Sequence, residues 1–265
     1  MERLSAEDLS ILVVEPSKMQ RKVLLEALTK EGVDKTAVCG NKAEAIQKLR
    51  EFKPDLVISS LYFEDGTGLE LLRLIRAEES LEDLPFMLVS SESRREQLEE
   101  FKQSGVIAIL PKPFNVQNLN QAINATLDML SEQNLDLELY DIDLLRVLVV
   151  DDSRMARNVI VRVLTNLGIK NIVQAADGSE AIAYLQDQGV DLVVTDYNMP
   201  EVNGVELTEF VRKSPTHGHV PVLMVTSESN DAHLQNVAQS GVNAMTDKPF
   251  EPHVVKQLLA SILEG

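Results

Sequence analysis

The chain has 265 residues, 44% hydrophobic and 25% charged, with a formal net charge of -17 and a single cysteine. Such acidity repels phosphate backbones, and with no Trp and few aromatics to stack on bases it excludes a nucleic-acid binder. One cysteine excludes an internal disulfide, and apolar runs of a few residues fall far short of the roughly 18 that a membrane span needs. The polar N-terminus lacks a signal-peptide core, so the expected compartment is the cytoplasm.

Along the chain, residues 11–129 return as residues 147–265 at a constant offset of 136 positions. Val149–Val150 answers Val13–Val14, Ser227-Glu228 answers Ser91-Glu92, Gly241-Val242 answers Gly105-Val106, and Lys248-Pro249-Phe250 answers Lys112-Pro113-Phe114. An unvarying offset leaves no insertion or deletion between these anchors. The period is too long for a solenoid, so a whole domain is duplicated.

The first copy ends in a helical stripe of Leu119, Ile123, Leu127 and Leu130. The join that follows is acidic, with Glu132, Asp136, Glu138, Asp141 and Asp143, and no Lys or Arg lies between Lys112 and Arg146. Leu135, Leu137 and Leu139 alternate, which suits an extended connector docked by its leucines; a long helix joining the copies is the competing reading. The expected division is a domain over 1–131, an acidic connector over 132–145 and a domain over 146–265.

In the second copy Val147-Leu148-Val149-Val150, Leu192-Val193-Val194 and Val222-Leu223-Met224-Val225 are unbroken apolar runs, the mark of strands buried on both faces of a parallel sheet. Helical spacing falls between them: Ala156, Val159, Ile160, Val163, Leu164 and Leu167, then a start at Asp177-Gly178-Ser179-Glu180, and a last stripe from Val254 to Ile262. Five βα units per copy with right-handed crossovers predict an α/β fold: two flavodoxin-like, doubly wound (βα)5 domains in tandem. In such sheets the ligand site lies beyond the carboxyl ends of the strands.

Asp151 and Asp152 follow the first strand of copy two, Asp196 the third, Thr226 the fourth and Lys248 the fifth, so the fold gathers all of them at one rim. Each alone has a bland reading. Asp152 beside Ser153 suits helix capping, Asp196 before Asn198, Pro200 and Gly204 suits a turn, Thr226 a strand-end hydroxyl, and Lys248 a solvated charge. Together they resist it. Three carboxylates at one rim repel each other and raise their pKa values until a divalent cation removes the repulsion. Hard oxygen ligands suit Mg²⁺, with a lysine and a hydroxyl facing the oxygens of a transferred phosphoryl group.

Val-Leu-Val-Val-Asp-Asp-Ser at 147–153, Thr-Asp-Tyr-Asn-Met-Pro at 195–200, Met-Val-Thr-Ser-Glu at 224–228 and Asp-Lys-Pro-Phe at 247–250 resemble receiver domains of bacterial two-component response regulators, most closely the CheY-like chemotaxis type. The resemblance implies a phosphoacceptor at Asp196 and Mg²⁺ held by Asp152, Asp196 and the Asn198 carbonyl, with Asp151 acting through a metal-bound water. It further implies a switch hydroxyl at Thr226, a bridging Lys248 and an often cis Lys248–Pro249 bond. Asn198 and Glu228 fall where the family tunes dephosphorylation, and Met245 stands where an aromatic is usual. Implied partners are a sensor histidine kinase or phosphotransfer protein as donor and a downstream protein target. The chain is expected to be a switch and not an enzyme acting on other molecules. It is expected to act by protein contact, or through an output domain beyond residue 265.

Copy one has Glu15, Pro16, Ser60 and Ser90 opposite Asp151, Asp152, Asp196 and Thr226. It lacks the central carboxylate, and serine there is expected to have no neighbour placed to activate it. The first copy therefore reads as a pseudo-receiver, either a degenerate remnant or a docking or homodimerisation module. Glu64 and Asp65 read as loop charges, His217 and His219 as a polar loop, and Cys39 as a small buried residue.

Three other functions are weighed. An aspartate-nucleophile phosphohydrolase of the haloacid dehalogenase type needs Asp-x-Asp after the first strand, where this chain has adjacent Asp151 and Asp152. In a flavin module those two carboxylates would repel the flavin phosphate. An inert scaffold leaves the acidic set without a purpose.

Overall fold

The computed structural model of the chain describes residues 4–92, 95–114, 116–131, 141–227 and 240–264. Two compact units emerge, Met1–Ser131 and Glu132–Gly265.

In the N-terminal unit β1 is Ser10–Val14, β2 Lys35–Cys39, β3 Leu56–Ser60, β4 Phe86–Ser90 and β5 Ala108–Pro111. The helices are α1 Lys18–Lys30, α2 Lys42–Phe52, α3 Gly68–Ala77, α4 Arg95–Gln103 and α5 Val116–Leu130. In the C-terminal unit the strands are β6 Arg146–Val150, β7 Asn171–Ala175, β8 Leu192–Asp196, β9 Val222–Thr226 and β10 Ala244–Asp247. Its described helices are α6 Arg154–Asn166, α7 Gly178–Asp187, α8 Gly204–Lys213 and α9 Pro252–Glu264.

Each five-stranded sheet is parallel, in the order β2-β1-β3-β4-β5 and β7-β6-β8-β9-β10, and a short antiparallel pair, Tyr62–Phe63 with Gly66–Thr67, follows β3. Every strand of the second five-stranded sheet begins 136 positions after its counterpart in the first. The strands read as unbroken apolar runs, β6, β8 and β9, are inner ones; β3, β4, β8 and β9 are buried at every residue, while the edge strands β2 and β7 are half-exposed. The order reverses between β1 and β3 and between β6 and β8, which opens a crevice at the carboxyl ends of those strands.

Side chains at matching positions tie down the opposite ends. Asp55 accepts the Ser10 amide at 2.8 Å, and Asp191 accepts the Arg146 amide at 2.9 Å, fixing where the first strand of each sheet begins. Arg76 donates to the carbonyls of Leu84 and Gly105, and Arg212 to those of Val220 and Gly241.

The acidic join falls partly outside the described residues, which resume at 141. Residues 141–145, placed in the connector by sequence, form a turn that docks on the C-terminal unit. Asp143 receives Lys170 Nζ and the Asn171 side-chain amide at 2.8 Å each, and Leu145 is buried.

The two units solve one packing problem in opposite ways. At the start of α7, a Cβ on Gly178 would lie 2.5 Å from the Val202 carbonyl. At the matching crossing Lys42 begins α2 and the glycine is Gly66, where a Cβ would lie 2.4 Å from Lys42 Nζ. The bulky partner has changed sides.

Cys39 is buried on β2, and burial pushes its thiol up to about 11, so it is an inert core residue.

Candidate functional site

Two carboxylates reach the C-terminal crevice because β6 ends at Val150, still paired with Thr195 and Ala175, so that Asp151 and Asp152 follow at the rim. Ser153 caps α6 by accepting the Ala156 amide at 3.2 Å. Ser153, not Asp152, is therefore the helix cap, and the bland reading of Asp152 lapses. Asp151 turns inward: Oδ1 accepts the Ser153 amide at 2.8 Å, and its carbonyl accepts Arg157 Nη1 at 2.5 Å. Asp152 stays exposed at the mouth.

Asp196 is the last residue of β8 and is buried; its Oδ1 accepts the Tyr197 amide at 2.9 Å. Close packing of α8 sets its position. A Cβ on Gly204 would stand 2.2 Å from the Asp196 carbonyl oxygen, so only glycine lets the helix start there. The next strand pairs Val225 with Asp196, which carries Thr226, also buried, to the same rim.

Lys248 follows directly on β10 and is joined to Pro249 by a cis peptide bond. Its ammonium, 3% exposed, sits 2.8 Å from Asp151 Oδ2 and 3.1 Å from Asp196 Oδ2. It is a buried bridging charge, not a solvated one. Burial opposes that ammonium, but the carboxylates of Asp151 and Asp196 outweigh it and hold its pKa above the ordinary lysine value. Burial is also what pushes the Asp151 carboxyl up, against the pull of Lys248, with the charge of Asp152 a lesser contributor. For Asp151 the direction is the expected one, with desolvation ahead of repulsion as its cause.

One carboxylate oxygen from each of Asp151, Asp152 and Asp196 lies within 4.8 Å of the other two. Three carboxylates against one ammonium leave a surplus of two negative charges. Hard oxygen donors at that spacing, with one on the solvent side, match a divalent cation that keeps part of its water shell. Asn198 is exposed in the loop after β8. Met245 is half-buried and in register with Met224. Glu228 lies outside the described residues.

The matching place in the N-terminal unit is self-neutralised. Glu15 is one methylene longer than aspartate. Its Oε2 accepts the Ser60 hydroxyl and, at 2.8 Å, Lys112 Nζ, while Oε1 accepts the Ser17 amide at 2.9 Å. Lys112 also donates to Gln20 and stands 3.3 Å from Ser60 Oγ, so its three protons have three acceptors. Ser90 accepts the Glu92 amide at 2.9 Å. The expectation that Ser60 has no base beside it is corrected, because Glu15 is bonded to it. Burial pushes the Glu15 carboxyl up, but the bonds from Lys112, Ser60 and the Ser17 amide more than offset it and hold it below its ordinary value. A depressed carboxylate is a weak base, so Ser60 gains little nucleophilicity.

The remaining polar candidates have structural duties. Asp65 accepts the amides of Lys42 and Ala43 at 2.9 Å each, capping α2. His217 is buried, with Nε2 3.2 Å from the Gln188 carbonyl and Nδ1 2.9 Å from Thr216 Oγ1, so it ties a loop down. Among the described residues no helix is long and apolar enough to cross a membrane.

Residues 11–124 and 147–260 each match the model of the response regulator receiver domain. The chain is 38% identical over 120 residues to the chemotaxis protein CheY of Pseudomonas aeruginosa, covering 45% of this chain and 97% of that protein. It is 39% identical over 120 residues to a CheY homolog of Campylobacter jejuni, covering 45% of this chain and 92% of that protein. Among solved structures, the chemotaxis protein CheY4 of Vibrio cholerae matches at 33% identity with a TM-score of 0.43, covering 45% of this chain and 98% of that one. The chain belongs to the response regulator receiver domain family and carries two receiver domains in tandem, one of which is matched by the CheY relatives.

Proposed function

We propose that the C-terminal receiver is a phosphorylation-driven switch and the N-terminal receiver a non-phosphorylatable partner domain. One observation carries this reading: Asp151, Asp152 and Asp196 converge within 4.8 Å around a buried lysine, while the matching residues of the first unit neutralise one another.

Asp196 is the nucleophile. One of its carboxylate oxygens attacks the phosphorus of a phosphohistidine or acyl phosphate, the bond to the donor breaks with its electron pair leaving on the donor, and an aspartyl phosphate remains. Asp151, Asp152, Asp196 and the backbone carbonyl of Asn198 would hold Mg²⁺, which supplies charge neutralisation at the transferring oxygens. Lys248, already 3.1 Å from Asp196 Oδ2, has the charge to follow the new phosphoryl oxygens, and Thr226 has a hydroxyl to donate to another. Redistribution of these contacts shifts the population between two surfaces at the rim, which a downstream protein reads. The donor is a histidine kinase or phosphotransfer protein, and the chain turns over no other substrate.

Incubation with Mg²⁺ and acetyl phosphate, followed by intact mass measurement, tests the reading. Wild type and Ser60→Ala should gain a single phosphoryl group and Asp196→Ala none. A label that survives in Asp196→Ala overturns the assignment.

A further inference from the structure

Arg157 closes the first turn of α6, half-buried, and its Nη1 donates to the backbone carbonyl of Asp151 at 2.5 Å. That carbonyl belongs to the peptide unit joining Asp151 to Asp152. A peptide unit is planar, so a grip on its oxygen restricts the directions from which both side chains leave the chain. Asp151 is thereby tied at each of its polar atoms. Its amide donates to the Ala175 carbonyl at 3.3 Å, Oδ1 accepts the Ser153 amide at 2.8 Å, and Oδ2 accepts Lys248 Nζ at 2.8 Å. Asp152 is exposed, and the shared peptide is what aims it.

The grip is kept against a cost. Arg157 Nε is buried with no hydrogen-bond partner among the described residues, and an unmade buried bond opposes folding. The first unit makes the same contact without that cost. At the matching position Arg21 donates from both Nε and Nη2 to the Glu15 carbonyl, at 3.0 and 2.8 Å. Room for the fork comes from Gly40, which follows β2: a Cβ there would stand 3.1 Å from Arg21 Nη2, inside ordinary contact. The second unit has that Cβ, on Ala176 after β7, and its guanidinium holds the carbonyl by one prong. The arginine is retained where its second bond is lost, in the unit whose turn carries two carboxylates.

We propose that Arg157 is a positioning residue of the acidic site, holding the Asp151–Asp152 peptide so that both carboxylates face one divalent cation. It acts through the backbone and touches neither the cation nor a phosphoryl group. Groups that orient ligands from behind govern metal affinity almost as strongly as the ligands do. The inference rests on the Mg²⁺ reading of the C-terminal site and names what aims its ligands.

The test uses the full chain and magnesium chloride. Arg157→Met keeps the aliphatic stem and removes the donors. Calorimetry should show it binding Mg²⁺ about tenfold or more weakly than wild type, and Arg157→Lys, which keeps a donor, should recover part of the loss. Labelling of Arg157→Met by acetyl phosphate should need correspondingly more Mg²⁺ for half its maximal rate. At saturating Mg²⁺ the rate should return to that of wild type, because Asp196, Thr226 and Lys248 are untouched. Arg21→Met removes the same grip from the first unit and should leave Mg²⁺ affinity unchanged. Wild-type affinity in Arg157→Met, equal weakening by Arg21→Met, no recovery by Arg157→Lys, or slowing that saturating Mg²⁺ leaves in place overturns the proposal. Wild type that binds Mg²⁺ but takes no label would sink the phosphoacceptor reading and leave the positioning result standing. Wild type that binds no Mg²⁺ would overturn both.

Discussion

Gly204→Ala is the sharpest probe of how the fold sets Asp196, the proposed phosphoacceptor. The new Cβ would stand 2.2 Å from the Asp196 carbonyl oxygen, where ordinary contact begins at 3.4 Å, so about 1 Å of relief is required. The obstructing atom is backbone and has no rotamer to escape into. Overpacking of this kind costs about 1–3 kcal/mol. Relief has to come from α8 or from the end of β8, and the latter moves the nucleophile itself. A misplacement on the order of 1 Å can slow a positioned reaction by roughly 10²-fold. Gly68→Ala is the matched control: its Cβ would meet the Ser60 carbonyl at 2.5 Å, a similar insult in the other unit. Urea unfolding should show comparable destabilisation in both variants, while the rate of labelling by acetyl phosphate falls in Gly204→Ala alone. Wild-type labelling by Gly204→Ala, or equal slowing by Gly68→Ala, refutes the reasoning.

Three further outcomes follow from the charges. Because its hydrogen bonds hold the Glu15 carboxyl below the ordinary value of 4.5, its contribution to stability is complete above that pH and disappears as pH falls through the lower, folded value. Urea midpoints of the N-terminal unit should drop in acid, and Glu15→Gln should flatten the drop; an unchanged slope would be contrary. Lys248→Ala leaves the buried carboxylates of Asp151 and Asp196 facing each other, a loss of about 3–5 kcal/mol, and Mg²⁺ should recover part of the lost melting temperature. Lys112→Ala should show no such recovery, and a recovery there would count against the self-neutralised site. Glu15→Asp with Pro16→Asp and Ser60→Asp restores the missing carboxylates, so calorimetry should find Mg²⁺ stoichiometry rising from one to two; a stoichiometry of one would mean the first unit lacks more than its acids.

Much of the site was legible because its residues sit at strand ends, and a parallel sheet brings strand ends together whatever the loops do. Asp151, Asp196, Thr226 and Lys248 needed only the strand order. Partner choice within that rim was not legible. Whether Asp152 or Ser153 caps α6 depends on which oxygen reaches the Ala156 amide, a matter of backbone angle that spacing does not carry. The base beside Ser60 was missed because Glu15 lies 45 residues away and its extra methylene matters only once β1 and β3 are paired. His217 read only as part of a polar loop because nothing local announces that the Gln188 carbonyl lies within reach of its ring.

The exchange of glycine between the start of α7 and the loop after β8 bears on how the duplicated halves can recombine. A crossover joining Lys42 to Val202 would press two large groups into space built for one, and the reverse product, Gly178 with Gly66, would leave a gap at the same seam. Each half is thus bound to inherit its own second helix and third loop together. Shuffled chimeras with breakpoints between those segments should be recovered less often than chimeras broken elsewhere.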